Sequence, residues 1–256
     1  MMSKFVLIHG GMIGGNCWKK VRKSLEEKQH IVLTPTLTGI GERKHLTHPD
    51  VDLEIHIQDV LNTIFYEELD DIILVGHSYA GMVITGVADR IPEKIKKLIY
   101  VAAVLPMNGE SMFDAVGLEI SSFLSNSAQK NNGWLVPAGT PQSYGINTLE
   151  EVKWFNKMST PHPLKSFQQK LSFKTSSFNA LNKIYIKCLQ DLGLNFMATR
   201  AKNMGIPCYE IDTGHFPMLT YPDALVDLLE SESNRSTTSR CGDSSSHNRA
   251  SHHKTS

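Results

Sequence analysis

Residues 76–81 read Gly-His-Ser-Tyr-Ala-Gly and follow the apolar run Asp71-Ile72-Ile73-Leu74-Val75. A buried-type strand that ends at Gly, then Ser, then small residues opening a helix, can present a serine hydroxyl as a covalent nucleophile. The turn between strand and helix must be tight for the hydroxyl to project above the sheet. That forces an unusual backbone conformation at Ser78 and small residues on either side. Gly76 and Ala80 supply those flanks; the strict pattern has Gly where Ala80 stands, and an extra Gly81 follows.

A serine hydroxyl is a weak nucleophile near neutral pH and needs a base that a third group orients. On a sheet of this kind the partners come in the chain order Ser, Asp or Glu, His. His215 stands in Gly214-His215-Phe216-Pro217, after the apolar run Cys208-Tyr209-Glu210-Ile211. Asp191 lies just beyond Ile184-Tyr185-Ile186-Lys187-Cys188-Leu189, which reads as the preceding strand. The expected triad is therefore Ser78, Asp191 and His215. Asp212 and Asp114 are the alternative acids. Asp212 sits three residues before His215 on the same segment and reads as a solvated loop residue.

The N-terminus offers the next ingredient. Phe5-Val6-Leu7-Ile8 is a strand, and His9-Gly10-Gly11-Met12 is a turn. A turn of this type supplies one backbone N–H to a developing oxyanion, and the residue after the nucleophile supplies the other. Those residues are Gly11 and Tyr79. A nucleotide-binding glycine loop does not fit, because the spacing of Gly10, Gly11, Gly14 and Gly15 is not G-x-G-x-x-G and no Gly-Lys-Ser/Thr follows. His9, on the strand end, reads as structural, and His56 as a packed or surface residue.

The elements that must carry these groups alternate. Strands are expected at 4–9, 31–35, 71–76 and 97–104, with helices at 16–28, 52–65 and 78–90. This alternation implies an α/β fold with a mostly parallel central sheet and helices on both faces. From 107 to 182 the alternation stops, and Trp134, Trp154, Phe113, Phe123, Phe155, Phe167 and Phe173 are spread among polar residues. This segment is expected to be a cap inserted between two parts of the core, 1–106 and 183–230, and placed above the C-terminal strand ends, where ligands bind in such sheets. Trp134 and Phe216 are the expected apolar contacts to substrate. In 231–256, Ser and Thr make up 12 of 26 residues, so that segment is expected to be a disordered tail.

Composition narrows the classes. The 256 residues are 41% hydrophobic, enough for one substantial core. Lys plus Arg equals Asp plus Glu at 26 each, which gives no bulk attraction to nucleic acid or to an anionic membrane. The longest apolar run, Leu98 to Leu105, is too short for a membrane span, and residues 1–8 lack the pattern of a signal peptide. Cys17, Cys188, Cys208 and Cys241 show no metal-type spacing and suit a reducing, cytoplasmic setting. No metal or cofactor is expected. The oligomeric state is not legible.

Taken together, His9-Gly10-Gly11 with Trp18, Gly39-Ile40-Gly41-Glu42-Arg43, the stretch from Gly76 to Met82, and Ile184 to Asp191 resemble the α/β-hydrolase superfamily from about residue 3 to 230. The likeness is nearest to the small-capped esterase branch that includes plant methylesterases, hydroxynitrile lyases and bacterial relatives. It implies a serine hydrolase that cleaves carboxylic esters of small to medium apolar substrates through an acyl-enzyme. The lyase branch carries Lys directly after the catalytic His and Thr directly after the His of the oxyanion turn. Phe216 and Gly10 occupy those positions here, which favours hydrolysis. A small-molecule receptor of the same fold, and a cofactor-free lyase or perhydrolase, are the alternatives.

Overall fold

The computed structural model describes residues 2–235. Along the chain come β1 (Lys4–Ile8), α1 (Lys19–Glu27), β2 (Ile31–Leu33), α2 (Leu53–Tyr66), β3 (Ile72–His77), α3 (Ala80–Arg90) and β4 (Ile95–Val101). The next stretch holds α4 (Met112–Val116), α5 (Leu118–Gln129), β5 (Leu135–Val136), α6 (Leu149–Met158), β6 (His162–Pro163), α7 (Lys165–Gln168) and α8 (Thr175–Ala180). The chain then returns to β7 (Lys183–Cys188), α9 (Asn195–Asn203), β8 (Cys208–Ile211), α10 (Pro217–Thr220) and α11 (Pro222–Asn234). Six strands form one sheet in the order β2-β1-β3-β4-β7-β8, and every pairing in it is parallel. β5 and β6 form a separate antiparallel pair.

Strand periodicity divides the core in two. Val6, Ile8, Ile72 and Leu74 face one cluster, packed with Ile57 and Val60 of α2 and Val83 and Val87 of α3. Phe5, Leu7, Ile73 and Val75 point the other way, towards Val21 and Leu25 of α1 and Leu225 and Leu229 of α11. Every residue of β3 is buried, as expected for a central parallel strand covered on both faces. On α2 the buried Leu53, His56, Ile57, Val60 and Ile64 fall at helical spacing, and Asp52 caps the helix by accepting from the Ile55 N–H at 3.1 Å.

Two buried histidines hold the loops beside the sheet. His9 Nε2 accepts the Leu37 N–H at 2.9 Å, and Nδ1 donates to the Gly10 carbonyl at 2.7 Å. His56 Nε2 donates to the Thr38 carbonyl at 3.0 Å while Nδ1 accepts the Tyr79 hydroxyl at 2.9 Å. The Leu37 N–H requires a neutral His9 ring. Burial lowers both pKa values to about 4.

The C-terminal boundary differs from the expected one. Ser231–Asn234 continue α11, and Glu232 is buried. Its carboxylate accepts from Lys97 Nζ at 3.0 Å and from the Tyr209 hydroxyl at 2.7 Å, and both Lys97 and Glu232 side chains are almost fully enclosed. A segment read locally as polar thus contains one carboxylate that a distant buried lysine requires. Residues 236–256 of the expected tail, including Cys241, lie outside the described residues.

Ending the chain after Glu230 should therefore strand the Lys97 ammonium in the core, at a cost of about 3–5 kcal/mol. Thermal unfolding of that truncation should show a Tm lower by roughly 10 °C; an unchanged Tm would reject the role of the pair. The buried histidines predict a second effect. Unfolding lets them take up protons near their ordinary pKa of 6.5, whereas the folded chain resists until about 4. Stability should thus be intact above about pH 7 and fall as pH drops through that window, by about 2 kcal/mol for each such histidine at about pH 5. A Tm that stays flat over this range would contradict the neutral assignment.

Candidate active site

The turn after β3 gives Ser78 a φ of 55°, the left-handed conformation that this turn demands of a non-glycine residue. Three main-chain bonds hold it there. The Ser78 N–H donates to the Val101 carbonyl at 3.2 Å, and the Ser78 carbonyl accepts from Gly81 at 3.1 Å and Val104 at 3.0 Å. Gly81 is the glycine that this geometry needs: a Cβ there would lie 1.8 Å from the Val104 carbonyl oxygen. Ala80, where the strict pattern has Gly, fits the buried interior without difficulty.

Three strand ends converge above this turn. His215, on the loop after β8, places Nε2 2.9 Å from Ser78 Oγ and Nδ1 2.8 Å from Asp191 Oδ2. Asp191 follows β7, and its second oxygen accepts the Gly193 N–H at 3.0 Å. With a carboxylate at Nδ1, the ring carries its proton there, which leaves Nε2 as the acceptor for the Ser78 hydroxyl. Burial acts to raise the Asp191 pKa, but the charge and hydrogen bond of His215 and the Gly193 N–H outweigh it and hold the carboxyl below the usual range.

The alternative acids are elsewhere. Asp114 closes a capping box with Ser111 at the start of α4. Asp212 is exposed and accepts from the Gln190 amide at 3.0 Å.

Gly11 and Tyr79 both border the cavity that contains Ser78. The turn at Gly10 and Gly11 is packed against Ser78 and against the inserted segment. A Cβ on Gly10 would meet Ser78 Cβ and the His77 ring at 2.8 Å, and one on Gly11 would meet the Phe167 ring at 3.2 Å. The Met12 carbonyl, in a residue with φ 63°, accepts the Thr160 N–H at 2.8 Å. Tyr79 precedes α3, so its N–H lies at the positive end of that helix.

The cavity measures about 160 Å³ and is walled by Met112, Val116, Leu124, Tyr144, Phe155, Phe167, Leu194 and Phe216, among others. Phe216, one of the two aromatics singled out in the sequence, lines this cavity. Trp134 does not. It stands in the turn before β5, where its carbonyl accepts the Leu164 N–H, and it does not border the cavity. Its aromatic role passes to Tyr144, Phe155 and Phe167, which the sequence did not set apart from other aromatics of the same segment. A larger cleft of about 890 Å³ opens near Lys97, Lys183, Tyr209 and Glu232. It lies at the N-terminal strand ends, away from the serine, and ligands of parallel sheets gather at the opposite ends.

His77 was missed by sequence reasoning, since the pattern leaves its position free. It is wholly buried, and its Nε2 donates to the His215 carbonyl at 2.7 Å. Burial, assisted by the neighbouring His215, keeps its pKa well below the ordinary value. A neutral ring thus stands beside His215 and brings no positive charge next to it.

Among the described residues no helix is long and apolar enough to cross a membrane.

Comparison with known proteins agrees with this architecture. A family model described as the alpha/beta hydrolase family matches residues 5–228. The carbendazim hydrolyzing esterase of Nocardioides sp. (strain SG-4G) is 40% identical over 194 residues, covering 72% of this chain and 79% of that protein. Methylesterase 9 of Arabidopsis thaliana is 24% identical over 248 residues, covering 89% and 97%. Among solved structures, an extracellular alpha/beta-hydrolase from a Paenibacillus species, described as sharing structural and functional homology with tobacco salicylic acid binding protein 2, superposes with a TM-score of 0.80 at 26% identity, over 90% of this chain and 98% of that one. With β3, the Ser78 turn and the six-stranded parallel sheet in place, the chain belongs to the alpha/beta hydrolase family and is a hydrolase of the carboxylesterase type.

Proposed function

We propose that the chain hydrolyses carboxylic esters of small, neutral, apolar acids or alcohols, with Ser78 as nucleophile, His215 as general base and then acid, and Asp191 as the group that orients His215. The observation that carries this reading is the unbroken hydrogen-bond line from Ser78 through His215 to Asp191, at 2.9 and 2.8 Å, on the floor of an apolar cavity. His215 Nε2 takes the hydroxyl proton as Ser78 Oγ attacks the ester carbonyl, and Asp191 stabilises the imidazolium. The tetrahedral oxyanion is received by the N–H groups of Gly11 and Tyr79. Collapse passes the proton from Nε2 to the departing alkoxide. The acyl group remains on Ser78 until water, activated by the same nitrogen, releases the acid.

The cavity supports the substrate class. Its named walls are largely apolar, and among the described residues that line it the ionisable ones are Asp191, His215, Tyr79 and Tyr144. A volume near 160 Å³ is of the size that accepts a single aromatic ring, which favours compact esters over bulky pyrethroid-like ones. The naming of relatives for methyl-ester and carbendazim hydrolysis supports a small alcohol or a flat aromatic acyl part. In this reading 107–182 acts as the cap, because it supplies Met112, Val116, Leu124, Tyr144, Phe155 and Phe167 to the walls.

Ser78→Ala should lose about 10⁶-fold in kcat on p-nitrophenyl acetate and resist organophosphate labelling, with an unchanged Tm; retained turnover would reject the nucleophile. Asp191→Asn should fall by about 10⁴ and Asp212→Asn hardly at all, and the opposite ranking would reassign the acid. For specificity, Leu124→Ala should change the ratio of kcat/KM between acetyl and longer acyl esters by about 10–200-fold. Trp134→Ala should leave that ratio as it is. A shifted ratio in Trp134→Ala would put the wall elsewhere than the cavity described above.

A further inference from the structure

The backbone of His215 is held on both sides. Its carbonyl accepts from His77 Nε2 at 2.7 Å, and its N–H donates to the Tyr144 carbonyl at 2.9 Å. The second bond comes from the inserted segment, not from the core. Residues Pro141–Tyr144 form one short helical turn, Gly145 follows with φ 75°, and Ile146 is wholly buried in the core cluster on the α1 and α11 side of the sheet. This strap lies directly on the histidine loop. A Cβ on Gly214 would come within 2.5 Å of the Tyr144 carbonyl oxygen, and one on Gly145 within 2.8 Å of Gly214 Cα. The Gly-His pair at 214–215 is thus explained by the strap above it.

The Tyr144 side chain adds a second hold. Its ring stacks on the His215 imidazole, with centroids 5.8 Å apart and planes 28° apart, and meets Phe216 edge-on at 5.3 Å. Phe155 of α6 backs it at 5.5 Å. The same ring borders the cavity. One residue of the inserted segment therefore touches the site where substrate would sit, stacks on the imidazole and bonds the main chain that carries it.

We propose that Tyr144 is a positioning residue: the strap 141–146 clamps His215 in line with Ser78, so that the pocket wall and the alignment of the base are one mechanical unit. The proposal rests on the reading of Ser78 and His215 as nucleophile and base. A rotation of the imidazole by a fraction of an ångström lengthens both of its hydrogen bonds at once. Misplacement of about 1 Å at a reacting group costs roughly 10²-fold in rate. A wall residue that only contacts substrate has a different signature, a change in KM.

The test uses the full chain with p-nitrophenyl acetate, and Tm is recorded for each variant. Tyr144→Leu removes the stacked ring, and Gly214→Ala pushes the strap off the histidine loop. Each should lower kcat by about 10–100-fold with KM changed less than about 3-fold. Tyr144→Phe, which keeps the ring, should restore most of kcat. Tyr144→Leu combined with Gly214→Ala should cost clearly less than the product of the two single losses, because both break one clamp. A raised KM with unchanged kcat in Tyr144→Leu would overturn the proposal and leave Tyr144 as a wall only. Fully multiplicative losses, or a Tyr144→Phe variant as slow as Tyr144→Leu, would overturn it as well. Normal turnover by Ser78→Ala would reject the underlying triad and the clamp together, and is told apart by that variant alone.

Discussion

Everything near the site depends on one strained residue. Ser78 takes a left-handed backbone conformation, which costs a non-glycine residue about 1–3 kcal/mol and persists only where surrounding structure over-determines it. The over-determination is visible. The serine N–H and carbonyl are tied to Val101, Val104 and Gly81, so the end of β4 and the start of α3 hold the turn between them. The strain orients the hydroxyl above the sheet. The remaining architecture has to bring a base to that point and keep water and stray charge away from it.

Charge control around the site falls largely to histidines other than His215. His9, His56 and His77 are wholly buried, burial holds each of them neutral, and each bonds a main-chain carbonyl of a neighbouring segment. A neutral imidazole donates through one nitrogen and can accept through the other. That makes it a suitable brace in a low-dielectric interior, where a lysine would bring a charge beside His215. His9 and His56 brace the turn and loop around Gly11 and Tyr79, and His77 braces the histidine loop. Among the described residues that line the cavity, Asp191 is then the one carboxylate, and His215 Nδ1 bonds it.

The inserted segment is bound to the machinery more closely than a simple lid would be. Thr160 bonds the Met12 carbonyl beside the Gly11 turn, Phe167 packs on Gly11, and Tyr144 bonds and stacks on His215. The walls of the cavity and the parts that would carry out the reaction share side chains. A change made in the wall is therefore felt at the Gly11 turn or at the histidine loop, as contacting residues couple energetically.

The amino-acid sequence alone determined the pieces whose geometry is local. Ile72 to Val75 must be a doubly buried strand, Gly76 to Gly81 must turn sharply, and Asp191 and Gly214-His215 stand at the ends of recognisable strands, because period and turn chemistry act over a few residues. The α/β class and the family resemblance follow from those pieces, whereas the strand order emerges only when the strands pair. What only the tertiary structure decided is which distant groups meet. Trp134 and Tyr144 are both half-buried aromatics in one irregular segment, and nothing in their neighbours tells that one lies away from the cavity and the other stacks on His215. Glu232 sits in a polar C-terminal stretch, and its burial depends on Lys97, far away in the chain, on another element. Local propensity carries no record of such pairings. They are settled when the segments pack, where a buried charge must find its partner and a ring must fill the space that the fold leaves.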